Sequence, residues 1–94
     1  MCRSIHTLYN VDPATTDEEV RAAALQYVRK ISGFTKPSRV NEAAFARAVD
    51  EVAAVSRRLL DDLVTTAPSR DREKEAARKR EAAARRYGPA AAAR

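Results

Sequence analysis

Tryptophan is absent, and cysteine and histidine occur once each, at Cys2 and His6. A single cysteine cannot build a disulfide framework within the chain. A structural zinc site wants four ligands, which Cys2 and His6 cannot supply alone. Only two glycines occur, Gly33 and Gly88, too few for a P-loop or a dinucleotide-binding fingerprint. Aromatic residues make up 5%: Tyr9, Tyr27, Phe34, Phe45 and Tyr87. So little bulky material is poor stock for an enclosed catalytic cleft, which weighs against an enzyme. No apolar run approaches the roughly 20 residues of a membrane span. The start of the chain lacks the apolar stretch of a secretory signal, so a cytoplasmic location is expected.

What remains is a chain of 94 residues, enough for one small domain with a thin aliphatic core. Its formal net charge is +5. Residues 70–94 carry nine basic and four acidic side chains, while residues 1–69 carry nine of each. The body is neutral and the whole excess lies in the tail, a distribution suited to a polyanion.

Punctuation by Pro13, Gly33, Pro37, Pro68, Gly88 and Pro89 falls at breaks in the hydrophobic pattern. A first helix is predicted from Asp17 to Ser32. Thr16 and Glu19 form a capping box, and Val20, Ala24, Tyr27, Val28 and Ile31 make one apolar stripe. Asp17, Glu18 and Glu19 suit its positive end and Arg29 and Lys30 its negative end. Gly33 suits the left-handed position just past it, with Phe34 folding back on Val28. A second helix is predicted from Ser38 or Asn41 to Thr65. Phe45, Val49, Val52, Ser56, Leu59 and Leu63 form its seam, which Ala48, Val55 and Leu60 widen.

The predicted fold class is all-α, an antiparallel helical hairpin with an N-terminal extended arm and a charged third helix. Ile5, Leu8 and Val11 belong to the arm, which should cover the open side of the hairpin. The hairpin domain takes residues 1–68. The basic third helix, capped by Ser69 and ended by Gly88 and Pro89, takes residues 69–94 with a frayed tail. Pairs Glu75–Lys79 and Glu81–Arg85 support that helix, but it has no strong apolar stripe.

Met-Cys-Arg-Ser-Ile at 1–5, Tyr-Val-Arg-Lys-Ile-Ser-Gly-Phe-Thr-Lys-Pro-Ser at 27–38 and Asn-Glu-Ala-Ala-Phe at 41–45 form a specific pattern. With these stretches the chain, to about Tyr87, resembles domain-of-unknown-function family 2277, small proteins found mainly in bacteria. The resemblance implies no activity. It directs attention to the Met-Cys-Arg start and to the connector between the helices.

Three features bear on function. In the connector, Lys30, Lys36 and Arg39 surround a helix start that Ser38 can cap, an arrangement suited to an anion. The plainer alternative is a set of dipole-compensating and solvated charges. The connector superficially resembles a helix-turn-helix, but the second helix is too long for that motif. In the tail, Arg78, Lys79, Arg80, Arg85 and Arg86 can neutralise phosphates without reading sequence, against the alternative of a solvated charged helix.

At the start, removal of Met1 would leave Cys2 as a 1,2-aminothiol that condenses with aldehydes. Such a start is loosely similar to proteins that trap abasic DNA through an N-terminal cysteine. His6 lies four residues on and can serve as base if the segment is helical. The plainer alternative is a buried, inert thiol and a surface histidine. The leading expectation is thus a non-enzymatic helical binding protein, with nucleic acid or another polyanion as partner. An aldehyde trap or enzyme using Cys2 is the alternative, and a structural adaptor is the third. No cofactor, metal or membrane contact is expected, and a homodimer is plausible because two helices leave apolar surface uncovered.

Overall fold

The computed structural model describes the backbone of residues 5–92 and the side chains of residues 5–86. The described residues are mostly helical, with three helices and one very small sheet among them. In chain order these are β1 (Val11–Asp12), α1 (Asp17–Ser32), a 3-10 turn (Arg39–Asn41), α2 (Glu42–Asp62), β2 (Arg70–Asp71) and α3 (Arg72–Ala92). The described residues fall into two compact units, one formed by residues 5–9 and 15–66, the other by residues 10–14 and 67–92.

In the first unit, α1 begins where its capping box predicts. The Glu19 amide donates to Thr16 Oγ at 3.2 Å, and the Thr16 amide donates to Glu19 Oε1 at 3.1 Å. It ends at Gly33, whose φ of 77° is left-handed and whose N–H donates to the Arg29 carbonyl at 2.9 Å. Both ends of α1 are therefore set by local chemistry.

Packing of α1 on α2 makes the core. Val20, Ala24 and Val28, one stripe at four-residue spacing, are buried on α1, and Val49 is buried on α2. Leu25, Phe45, Ala48, Val52 and Ala53 pack around Ala24, Val28 and Val49. Ser56 is partly buried on this side because its hydroxyl donates to the Val52 carbonyl at 2.7 Å. Arg21 pairs with Asp50, and Arg57 reaches Asp17 at 3.5 Å.

The predicted stripes need trimming. Tyr27, Ile31, Val55, Leu59 and Leu63 are exposed rather than buried. Geometry explains this. Leu59 and Leu63 follow Arg57, whose bonds reach Asp17 and the Thr15 carbonyl, and Leu63 already lies outside α2. Val55 stands off the Val49–Ala53 line, Tyr27 stands off the Val20–Ala24–Val28 line, and Ile31 occupies the last turn.

The boundaries of α2 also differ from expectation. It starts at Glu42 and stops at Asp62, with Leu63 extended and its N–H bonded to the Leu59 carbonyl at 3.0 Å. The β-branched run Val64-Thr65-Thr66 is poor helix material. Ser38 does not cap α2. It precedes the 3-10 turn without a capping bond from its side chain, and its Oγ instead accepts from Asn41 Nδ2 at 2.8 Å.

In the second unit, β1 and β2 pair in parallel, Val11 with Arg70 and Asp12 with Asp71. An all-α reading had no place for this pair, and Val11 joins it rather than the arm. Asn10 organises the junction. Its φ of 53° is left-handed, a conformation that asparagine tolerates better than most residues. Its Nδ2 donates to the carbonyls of Ala67 and Pro68 at 3.3 and 3.1 Å. Its own carbonyl accepts from the Arg70 amide at 2.8 Å.

Because residues 70 and 71 are extended, α3 starts at Arg72. Its cap is Asp71, whose Oδ1 accepts from the Lys74 amide at 3.0 Å, and not Ser69. The helix also runs through Gly88 and Pro89 to Ala92 instead of ending there. Pro89 removes one amide donor near the terminus, while the alanines after it are the strongest helix formers.

Candidate functional site

The sequence offers three candidate places, and only two lie within the described residues. Cys2 lies outside them, so the Cys2–His6 pair has no geometry to report. His6 itself is exposed and lines a groove of about 230 Å³ with Leu8, Glu19, Ala22, Ala23 and Gln26. Leu8 is held beside α1 by its carbonyl, which accepts from Thr15 Oγ. Glu19, the one carboxylate in this groove, is already engaged with the Thr16 amide and hydroxyl.

A second groove, about 270 Å³, is lined by Asp17, Val20, Arg21, Ala53, Ala54 and Arg57. Its two cations are committed. Arg57 donates to Asp61 through Nε and Nη2 at 3.2 and 2.8 Å, and to the Thr15 carbonyl at 3.4 Å. The hydrogen bond to Asp61 raises the Arg57 pKa above its ordinary value, and the charges of Asp61 and Asp17 add to it. Arg57 is a fixed cation, as every arginine is at physiological pH. Arg21 is engaged by Asp50. This groove therefore ties α1 to α2 and offers an incoming anion little. Sequence spacing shows the Arg57–Asp61 pair at i, i+4, but nothing local reveals Asp17 as the third member.

The connector brings Lys30, Lys36, Ser38 and Arg39 into one short exposed stretch. Lys30 is in the last turn of α1, and Arg39 opens the 3-10 turn. The residue that shapes the connector is Arg29, whose Nε donates to the Thr35 carbonyl at 3.1 Å. Sequence reasoning gave Arg29 only a dipole role and missed this clamp.

On α3, Arg78, Lys79, Arg80, Arg85 and Arg86 are all exposed. Helical periodicity sorts them. Lys74, Arg78 and Arg85 recur at i, i+4 and i+11, and Lys79 and Arg86 at i and i+7, so the five share one broad face. Arg80 lies on the other side, near Glu73. Two carboxylates accompany this face: Glu81 lies at its edge beside Lys74 and Arg85, and Glu75 lies inside it, held by Arg70 in a two-bond pair at 2.6 and 3.1 Å. Its charge is thereby offset. Arg70 is a second residue that sequence reasoning missed.

Among the described residues no cluster of three or more His, Cys, Asp or Glu could hold a metal. No helix there is long and apolar enough to cross a membrane.

The family model of an uncharacterized conserved protein, DUF2277, matches residues 1–78. The chain belongs to this family. The match covers the arm, both core helices, the connector and α3 as far as Arg78, whereas Lys79, Arg80, Arg85 and Arg86 lie beyond it. No curated protein and no solved structure matches the chain.

Proposed function

We propose that the protein is a non-enzymatic binding module whose partner is a polyanion, nucleic acid foremost. The observation that carries this reading is the basic face of α3, where Lys74, Arg78, Lys79, Arg85 and Arg86 lie together. Of the two carboxylates that accompany that face, Glu75 is offset by Arg70, and Glu81 stands at the edge. Exposed cations on a helix contact phosphates without reading bases, so binding is largely independent of sequence.

The supporting scaffold is an antiparallel hairpin of α1 and α2. The pairs Asp17–Arg57 and Arg21–Asp50, which match the start of α1 with later and earlier points on α2, support that orientation. Lys30, Lys36, Ser38 and Arg39 are a secondary anion contact at the connector, supported by their shared exposure.

The test is binding of double-stranded DNA as a function of salt. Five engaged phosphates give a log K against log salt slope of about −4.5. Replacing Arg78 and Arg85 together with glutamine reduces its magnitude by about 2, whereas Arg80→Gln changes it less. Truncation after Pro68 removes the binding. Affinity that survives truncation with its slope unchanged would shift the site to the connector. No binding at low salt would sink the reading.

A further inference from the structure

We infer that α2 is also a self-association surface, through which two copies pair antiparallel about a two-fold axis near Ala54. Beside the stripe that packs on α1, α2 carries a second one that shares the half-buried Ala48 and Val52 with it and adds the exposed Val55 and Leu59. Ala48, Val52, Val55 and Leu59 step by four, three and four residues, the spacing of a two-helix seam. Val55 and Leu59 are 55% and 56% exposed. Leu63, the extended residue just past α2, is 44% exposed.

The charges beside this seam identify the occupant. Arg47, Glu51, Arg58 and Asp62 follow one flank of α2 and are exposed. Among the described residues none of the four enters an ion pair, unlike Arg57 with Asp17 and Asp61, Arg21 with Asp50, and Arg70 with Glu75. Their order along the helix is plus, minus, plus, minus. Reversed about its midpoint, that order is its own complement. An antiparallel second copy sets Glu51 against the second copy's Arg58, and Arg47 against its Asp62. The same axis sets Val52 against Val55 and the large Leu59 against the small Ala48. A parallel copy would set each charge against its like. An unrelated partner has no reason to match this pattern, whereas an isologous pair requires it.

Sedimentation of the full chain over a hundred-fold concentration range tests the inference, with circular dichroism to verify folding. The parent protein shows a monomer–dimer equilibrium, and Leu59→Glu leaves a folded monomer. Glu51→Arg weakens the dimer about tenfold or more, and adding Arg58→Glu restores it, because the swap rebuilds the pair in the two-fold arrangement. A parent that stays monomeric throughout would overturn the inference, and so would a dimer indifferent to Glu51→Arg. Neither result bears on DNA binding by α3, which is read separately.

Discussion

The amide of Arg70 donates to the carbonyl of Asn10 at 2.8 Å, joining the segment before α1 to the segment before α3. Asn10 serves this contact in two ways: its left-handed backbone aims the carbonyl, and its side chain holds Ala67 and Pro68. The two contributions are separable. Asn10→Gly keeps the backbone freedom and loses the side-chain bonds. Asn10→Ala loses both and adds about 1–2 kcal/mol of left-handed strain. Hydrogen exchange at the Arg70 amide should therefore accelerate in the order parent, glycine, alanine.

Burial assigns different costs to two apolar residues of α2 that the sequence pattern treats alike. Val49 is 4% exposed, so Val49→Ala should lower stability by about 1–3 kcal/mol through lost contacts and a residual cavity. Leu59 is solvated within one copy, so Leu59→Ala should change a dilute sample by no more than about 0.5 kcal/mol. Denaturant melts at low micromolar concentration measure both. Equal losses at the two sites would place Leu59 in the core instead.

Legibility in the sequence followed the range of the interactions. The ends of α1 were readable to the residue because Thr16, Glu19 and Gly33 act within one turn. The apolar stripes were readable in kind, but their burial was not, since nothing in a stripe states where the neighbouring helix begins. The β1–β2 pair was invisible. Two residues on each side show no alternation, and the bonds of Asn10 connect distant segments. The basic tail was legible as composition. Its sorting into a face depended on knowing that α3 is continuous and that Arg70 folds onto Glu75.

The two-residue delay in the start of α3 transfers its cap from Ser69 to Asp71. Asp71 accepts from the Lys74 amide, the third amide of the helix, and its charge also suits the positive end of the dipole. Asp71→Ala should cost the second unit about 1–2 kcal/mol, and Ser69→Ala close to nothing. Amide exchange along residues 72–78 compares them. A larger effect from the serine would return the cap to the position that the sequence pattern favours.

Gly33 allows backbone strain to be measured apart from crowding. Its φ of 77° lies in the left-handed region, yet a Cβ built there would meet no atom within 4 Å. Substitution therefore costs only what the backbone conformation itself imposes. Gly33→Ala should destabilise the first unit by about 1–2 kcal/mol, and Gly33→Asn by less, because asparagine tolerates this region. The bond from the residue 33 amide to the Arg29 carbonyl should survive both changes, leaving the end of α1 in place. Thermal melts give the ranking, and amide exchange at residue 33 reports whether the cap persists. If alanine were neutral, α1 would be ending without a left-handed residue. If asparagine cost as much as alanine, side-chain contacts rather than backbone strain would be setting the penalty.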